Sequence, residues 1–475
     1  MIMSISDSGA SCEMHGDGYS ESSREAEAPS FRKRGKKLLI ITSSGGGGLI
    51  QAANAKEQEA RESDPHISII RRDVLRDWFG KWIGEYSINR WNQAQIRGDV
   101  ADQAWCAWAQ LSLAEYIFWP HVFLHSLAIL FKEEVDEIID TQCLGTSAIL
   151  FALRIYNWKK KKQVFLQKVM VDLPTKKATH FFQPIKKLTQ KSRSLLRLIA
   201  IPPLLEEGET AEDFWRSTCN LSANEVHCGD VYVRQAFKKF QNKPRTHESM
   251  TLKMRVKNDE ELELIQRCIK RGSLKLEIQG HELGFQIPAR DKVMTVLLGS
   301  NPANEATFNY AKNFIPLING VKTATHLFVF CANHNLGEQS LLKKVSEYVQ
   351  KLNEYPSSLT VIPFSFQNED VIAPLFFRSD ATCTRSGGQT AMELMCVSRG
   401  EIWVHSEAKK NPARELTNEE LLKGIPGWES ESAVYLQKIR GAKIITPESF
   451  SVYAQNLFRA NDRREHSNPL LVSGA

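Results

Sequence analysis

Short apolar runs recur along this chain, each closing on a polar or glycine-rich loop and leading into helix formers. KKLLIIT (36–42) runs into SSGGGG and then QAANAKEQEARES, after which a second run, HISII (66–70), appears. The order returns in VDEIIDTQ (135–142) with SAILFALRIYNW (147–158), and KVMVDLP (168–174) follows a basic connection. Continuous apolar runs of this length predict strands covered on both faces, because a sheet with one wet face alternates apolar and polar positions. Strands alternating with helices predict a mainly parallel, doubly wound sheet. Between about 204 and 287 the rhythm changes: EEGETAEDFW is acidic, while MTLKMRV and KLEIQGHELGFQI alternate as short strands. From 292 the first pattern resumes in KVMTVLLGS, THLFVFCANHN, SLTVIPFSF, EIWVHSE and AKIITPESF. The expected organisation is a disordered tail (1–35), an α/β domain (36–203), a connecting insertion (204–288), a second α/β domain (289–455) and a tail (456–475).

Composition narrows this picture only a little. A chain of 475 residues is long enough for more than one core, since single cores stop growing at about 250–300 residues. Apolar residues make up 42% and charged residues 24%, the balance of a globular protein. Nine cysteines form no C-x-x-C pair, which argues for a reducing compartment and against a structural zinc site. The first residues lack the basic start and apolar core of a signal peptide, so a cytoplasmic location is expected. AWCAWAQLSLAEYIFWPHVFLHSLAILF (104–131) is long and apolar, but Glu115, Pro120, His121 and His125 interrupt it. A buried helix pair, an interfacial membrane surface and a true span all stay open for it.

Chemistry concentrates at two glycine clusters. Gly45, Gly46, Gly47, Gly48 and Leu49 stand between a strand and a helix, where α/β sheets bind ligands. In TRSGGQTAMELM (384–395) a loop runs into a second helix, with Ser386, Gly387, Gly388, Gln389, Thr390 and Glu393 around its start. Free N–H groups at a helix start suit a diphosphate, and a carboxylate one turn on suits a ribose diol. Taken alone, that stretch reads more plainly as an ordinary capped helix with Glu393 on its solvated face.

The run SGGQTAME (386–393) is similar to the S-G-x-x-T-x-x-E signature of nucleotide-sugar glycosyltransferases of the GT-B fold. The nearest group is that of the peptidoglycan N-acetylglucosaminyltransferase and the monogalactosyldiacylglycerol synthases. IITSSGGGGLIQAA resembles that group's amino-terminal loop, VDLPTKKATHFF (171–182) its T-D-L-x-T-x-H-x-T-W-F segment, and GIPGWESESAVYL (424–436) its L-P-G-Q-E-A-G-N-x-x-Y stretch. The resemblance implies two doubly wound Rossmann-like domains facing a cleft, and transfer of a sugar from a UDP-sugar to a lipid, glycan or protein hydroxyl, with inversion. It implies that Ser386, Gly387, Gly388, Gln389 and Thr390 hold the diphosphate and Glu393 the ribose. Gly299 and Ser300 fall at the second phosphate loop, and the backbone of Phe364, Ser365 and Phe366 faces the base. Trp428 and Glu429 match the donor-sugar stretch, whose usual Gly and Asn are here Glu431 and Ser432. No metal or other cofactor is required on this reading.

One departure touches the chemistry. The group ends its amino-terminal glycine loop with a histidine, and this chain has Leu49. Another base is needed, and Asp172 at the end of KVMV is the first choice, with His180 the second. A loop-capping Asp and a packing His are the plainer roles for these two. Loss of the histidine also fits a degenerate UDP-sugar-binding module. An epimerase or hydrolase, or an interaction protein on the same scaffold, stays open beside it. From Arg154 to Arg197 thirteen Lys or Arg face one acid, Asp172. Lys159, Lys160, Lys161, Lys162, Lys176, Lys177, Lys186 and Lys187 thus suggest either a solvated face or contact with an anionic membrane, where each base contributes about 1 kcal/mol. No aromatic platform or reading helix beside them favours nucleic acid.

Overall fold

The apolar runs do form strands, and most are buried along nearly their whole length, while the edge strand at Ser68–Asp73 is only half-buried. A computed structural model of the protein describes residues 35–245, 248–332, 340–411 and 413–465. The first sheet takes β1 (Lys37–Thr42), β2 (Ser68–Asp73), β3 (Glu137–Asp140), β4 (Leu166–Val169), β5 (Leu196–Ala200) and β6 (Val226–Cys228), in the order β2-β1-β3-β4-β5-β6. Every pairing is parallel. A small antiparallel sheet follows, with β7 (Met250–Arg255), β8 (Lys275–Gln279) and β9 (Glu282–Ile287) in the order β7-β9-β8. The third sheet holds β10 (Lys292–Leu297), β11 (Thr325–Phe330), β12 (Leu359–Phe364), β13 (Ala381–Thr384), β14 (Glu401–His405) and β15 (Lys443–Ile445). Its order, β12-β11-β10-β13-β14-β15, is again all parallel. Parallel neighbours require crossovers, and helices supply them. The two doubly wound α/β halves expected from the sequence are therefore present.

Strand order fixes where ligands can bind. In each large sheet the winding reverses beside the first strand, between β1 and β3 and between β10 and β13. Crevices open at the carboxyl ends of such a pair of strands. The first glycine cluster follows β1, Gly299 follows β10, and the second glycine cluster follows β13.

The segment 204–288 is not a separate insertion. Val226–Cys228 pairs with β5 and completes the first sheet. β7 and β9 turn Leu252, Met254, Leu283, Phe285 and Ile287 into one core with Val293, Phe328 and Phe364 of the second half. The alternation that sets these strands apart from their neighbours reflects one wet face and one covered by that half. The chain end also differs from the expected tail, since Phe450–Glu465 is a helix whose Ala454 and Phe458 are buried against the second half. The expected tail 1–35 lies outside the described residues except for Gly35, as do 466–475.

Among the described residues no single helix is long and apolar enough to cross a membrane. The 104–131 segment falls within Val100–Ile117 and Trp119–Glu133, a pair bent by 70° that passes by length and composition only when joined. Val122, Ser126, Ile129 and Leu130 face the core, whereas Trp105, Trp108, Tyr116, Ile117 and Leu124 are exposed.

Candidate functional site

Both glycine clusters line one cleft between the halves. From the first half come Gly45, Gly46, Gly47, Gly48, Leu49, Asp172 and His180, and from the second Gly299, Ser300, Phe366, Gly387, Gly388, Gln389, Thr390, Glu393, Trp428 and Glu429. The walls touch: Gly47 lies against Ser300 and Gly48 against Gln389. A Cβ at Gly388 would collide with the Val171 carbonyl and the Asp172 Cα, so glycine alone lets the two loops approach this closely. Gly299 has φ 86°, a left-handed conformation that glycine adopts without strain.

The helix Gly388–Val397 opens without a side-chain cap. Among the described residues its first N–H groups meet no side-chain acceptor, and they carry the positive end of the helix dipole. Arg385, immediately before it, donates to Gln103 across the cleft at 2.5 Å and stands 3.6 Å from Glu429. Ser386 differs from the expectation. It is fully buried and its hydroxyl donates to the Glu429 carbonyl at 2.7 Å, so the side chain ties two loops together rather than facing the cleft. Phe364 differs too. As the last residue of β12 it packs into the core, and its carbonyl accepts from the Cys331 N–H, leaving only Phe366 of that pair on the cleft. The Ser365 N–H donates to Glu261 at 3.3 Å.

Asp172 and His180 meet in the first half. The His180 Nε2 lies 2.7 Å from Asp172 Oδ2, and the helix Thr179–Lys186 carries the ring to that place. Trp428 of the second half sets its edge on His180 at 5.4 Å and stacks on Trp91 at 6.1 Å. Leu49 lines the same cleft and packs against the first core; its carbonyl accepts from Thr42 and Thr141, both at 3.1 Å.

Several buried polar atoms here have no hydrogen bond among the described residues: Glu429 Oε2, Gln389 Oε1 and Trp91 Nε1. Burial pushes the Glu429 carboxyl above its ordinary range, Arg385 opposes this, and the Asp172 charge adds to it. Burial likewise raises Glu393, against the pull of Arg234. Cys143 also lines the cleft, and burial pushes its thiol up to about 12, which leaves it a poor nucleophile. Among the described residues no group of three or more His, Cys, Asp or Glu side chains is placed to hold a metal ion.

Sequence reasoning missed Arg385, Arg234 and Trp91. Arg385 had a signal, a lone base directly before the glycine loop. Trp91 is one of two tryptophans on the helix Lys81–Arg97, and nothing in the pattern distinguishes it. The basic run is also less free than it reads. Lys160 pairs with Glu134, Lys162 with Asp136, Lys176 with Glu206 and Glu209, and Lys177 with Glu431.

No family model matches the chain, and no curated protein matches it. Among solved structures it is similar to Acinetobacter baumannii MurG, at 11% identity over 91% of this chain and 92% of that one, with a TM-score of 0.40. The glycotransferase of kitacinnamycin gives 13% identity, 91% and 92% coverage and a TM-score of 0.41. A UDP-GlcNAc 2-epimerase from Neisseria meningitidis, solved with UDP-GlcNAc, gives 11%, 91%, 100% and 0.38. All three likenesses are distant.

Proposed function

We propose that this protein transfers a sugar from a UDP-sugar to an acceptor hydroxyl, with inversion at the anomeric carbon. The observation that carries this reading is the Asp172–His180 pair of one half standing over the uncapped helix start of the other, at Gly387 and Gly388. The acceptor proton passes to the Asp172–His180 pair as the acceptor oxygen attacks the anomeric carbon. The bond from that carbon to the β-phosphate oxygen breaks, and UDP leaves with its charge held by the helix-start N–H groups and Arg385. The pair supplies the base that Leu49 lacks, which favours an active enzyme over a degenerate binding module.

The acceptor side carries a second element of the proposal. Exposed aromatic side chains on the helices beside the cleft favour an acceptor presented at a membrane surface. A specific observation also supports one rival: Glu429, whose Oε2 accepts no hydrogen bond, is the extra acid that a UDP-sugar epimerase or hydrolase would use.

UDP release separates these readings. Transfer predicts release that rises with added acceptor, and a fall of about 10²–10⁴-fold in Asp172→Asn and His180→Ala with UDP affinity kept. Release independent of any acceptor would point to hydrolysis, and conversion of the sugar nucleotide without UDP to epimerisation. UDP binding with no turnover of any donor would leave the binding module.

A further inference from the structure

We propose that Arg234, on the segment joining the two halves, is a positioning residue that sets Glu393 to grip the ribose diol of the donor nucleotide. This rests on the reading of the cleft as a nucleoside-diphosphate-sugar site and gives the joining segment a role in it. Arg234 precedes the short helix Gln235–Lys238, 159 residues away from Glu393 in sequence. Its Nε donates to Glu393 Oε1 at 2.9 Å and its Nη1 to Glu369 Oε2 at 3.1 Å. The guanidinium lies over the Phe237 ring at 4.9 Å. Arg234 and Glu393 are 8% and 5% exposed, and both line the cleft. Glu369 is held in turn by the Gln58 side-chain amide of the first half at 3.0 Å, and Gln58 Oε1 accepts from the Gln235 N–H at 3.1 Å.

The geometry leaves one oxygen for the ligand. Gln389 also donates to Glu393 Oε1, at 3.3 Å, and among the described residues no hydrogen bond reaches Oε2. A carboxylate oxygen accepts about two hydrogen bonds. Oε1 is therefore filled by protein, and Oε2 has capacity for both hydroxyls of a ribose. Arg234 works against the burial that raises the Glu393 carboxyl, and without its hydrogen bond to Oε1 the group would be free to turn.

Ribose discrimination tests this directly. Binding of UDP and of 2′-deoxy-UDP is measured by calorimetry on the full chain, for the natural protein, Glu393→Gln, Arg234→Gln and Arg234→Lys. The natural protein is expected to prefer UDP by about 10–100-fold, the value of a hydrogen bond to a charged group. Glu393→Gln and Arg234→Gln should both bring that ratio close to one. Arg234→Lys keeps the charge without the fork and should retain part of it. A general loss of packing would weaken both ligands alike and leave the ratio intact, and that result in both Arg234 variants overturns the inference. A ratio lost in Glu393→Gln but kept in the Arg234 variants overturns this inference alone. A natural protein that binds no UDP, or does not distinguish the two nucleotides, overturns the donor-site reading itself.

Discussion

Glu429 Oε2 has no hydrogen bond, although Arg385 stands 3.6 Å away and the residue is 7% exposed. A buried polar atom left without a hydrogen bond costs about 1–3 kcal/mol, more when charged, and on the proposed reading a ligand supplies the missing donor. A sugar hydroxyl would donate to it. Burial raises this carboxyl above its ordinary value of 4.5, so its charged form is favoured less in the folded chain than in the unfolded one. Stability is therefore unaffected below the unfolded value and falls as pH rises through the folded one. Glu429→Gln removes the charge and with it that loss. We expect its Tm to exceed that of the natural protein at pH 7 and to match it near pH 4, while sugar transfer falls at least about tenfold. Thermal denaturation at the two pH values checks this, and an equal shift at both would remove the electrostatic cause.

Lys168 of β4 shows what strand register decides at the scale of elements. It belongs by sequence to the basic run, yet its side chain is fully buried. It donates to Asp140 of β3 at 2.7 Å, to Thr146 at 2.8 Å and to the Gln142 carbonyl, pinning the loop that brings Cys143 and Leu144 to the cleft. Breaking a buried pair leaves one charge unpaired, so Lys168→Met should lose about 3–5 kcal/mol in urea denaturation, and adding Asp140→Asn should recover much of it. A single variant within about 1 kcal/mol of the natural protein would deny the pair this role. The same register limits what the sequence discloses. Both parallel sheets are legible because strands covered on both faces leave unbroken apolar runs, and both glycine loops because they end such runs. Lys168 is one base among thirteen in the 154–197 run, and nothing local marks it as the one that meets Asp140; the Phe364 carbonyl, expected to face the base, is taken by the Cys331 N–H, a contact no local pattern records. Arg234 is hidden likewise: its partners Glu369 and Glu393 are distant in sequence, and no local pattern records a contact made only after both halves fold.

Over the whole molecule, the half that carries the Asp172–His180 pair also exposes its aromatic side chains. Trp82, Tyr86, Trp105, Trp108, Tyr116 and Trp158 are each more than half exposed. Bases accompany the rings: Arg90 lies over Trp105 and Lys187 over Tyr116. Trp and Tyr favour the boundary between lipid headgroups and acyl chains, and a base beside them adds attraction to anionic lipid. Lys160, Lys162, Lys176 and Lys177 already face carboxylates, so the rings rather than the lysine run should dominate attachment. Sedimentation with phosphatidylcholine vesicles, with and without phosphatidylglycerol, checks this reading. The natural protein should pellet with the anionic vesicles. A variant with Trp105, Trp108 and Tyr116 changed to Ala should bind about tenfold more weakly or less, and one with Lys159–Lys162 changed to Gln should lose less. If the lysine variant lost more than the aromatic one, charge would be the anchor and the rings bystanders. If the natural protein stayed in the supernatant with both vesicles, the acceptor would have to reach the cleft from solution.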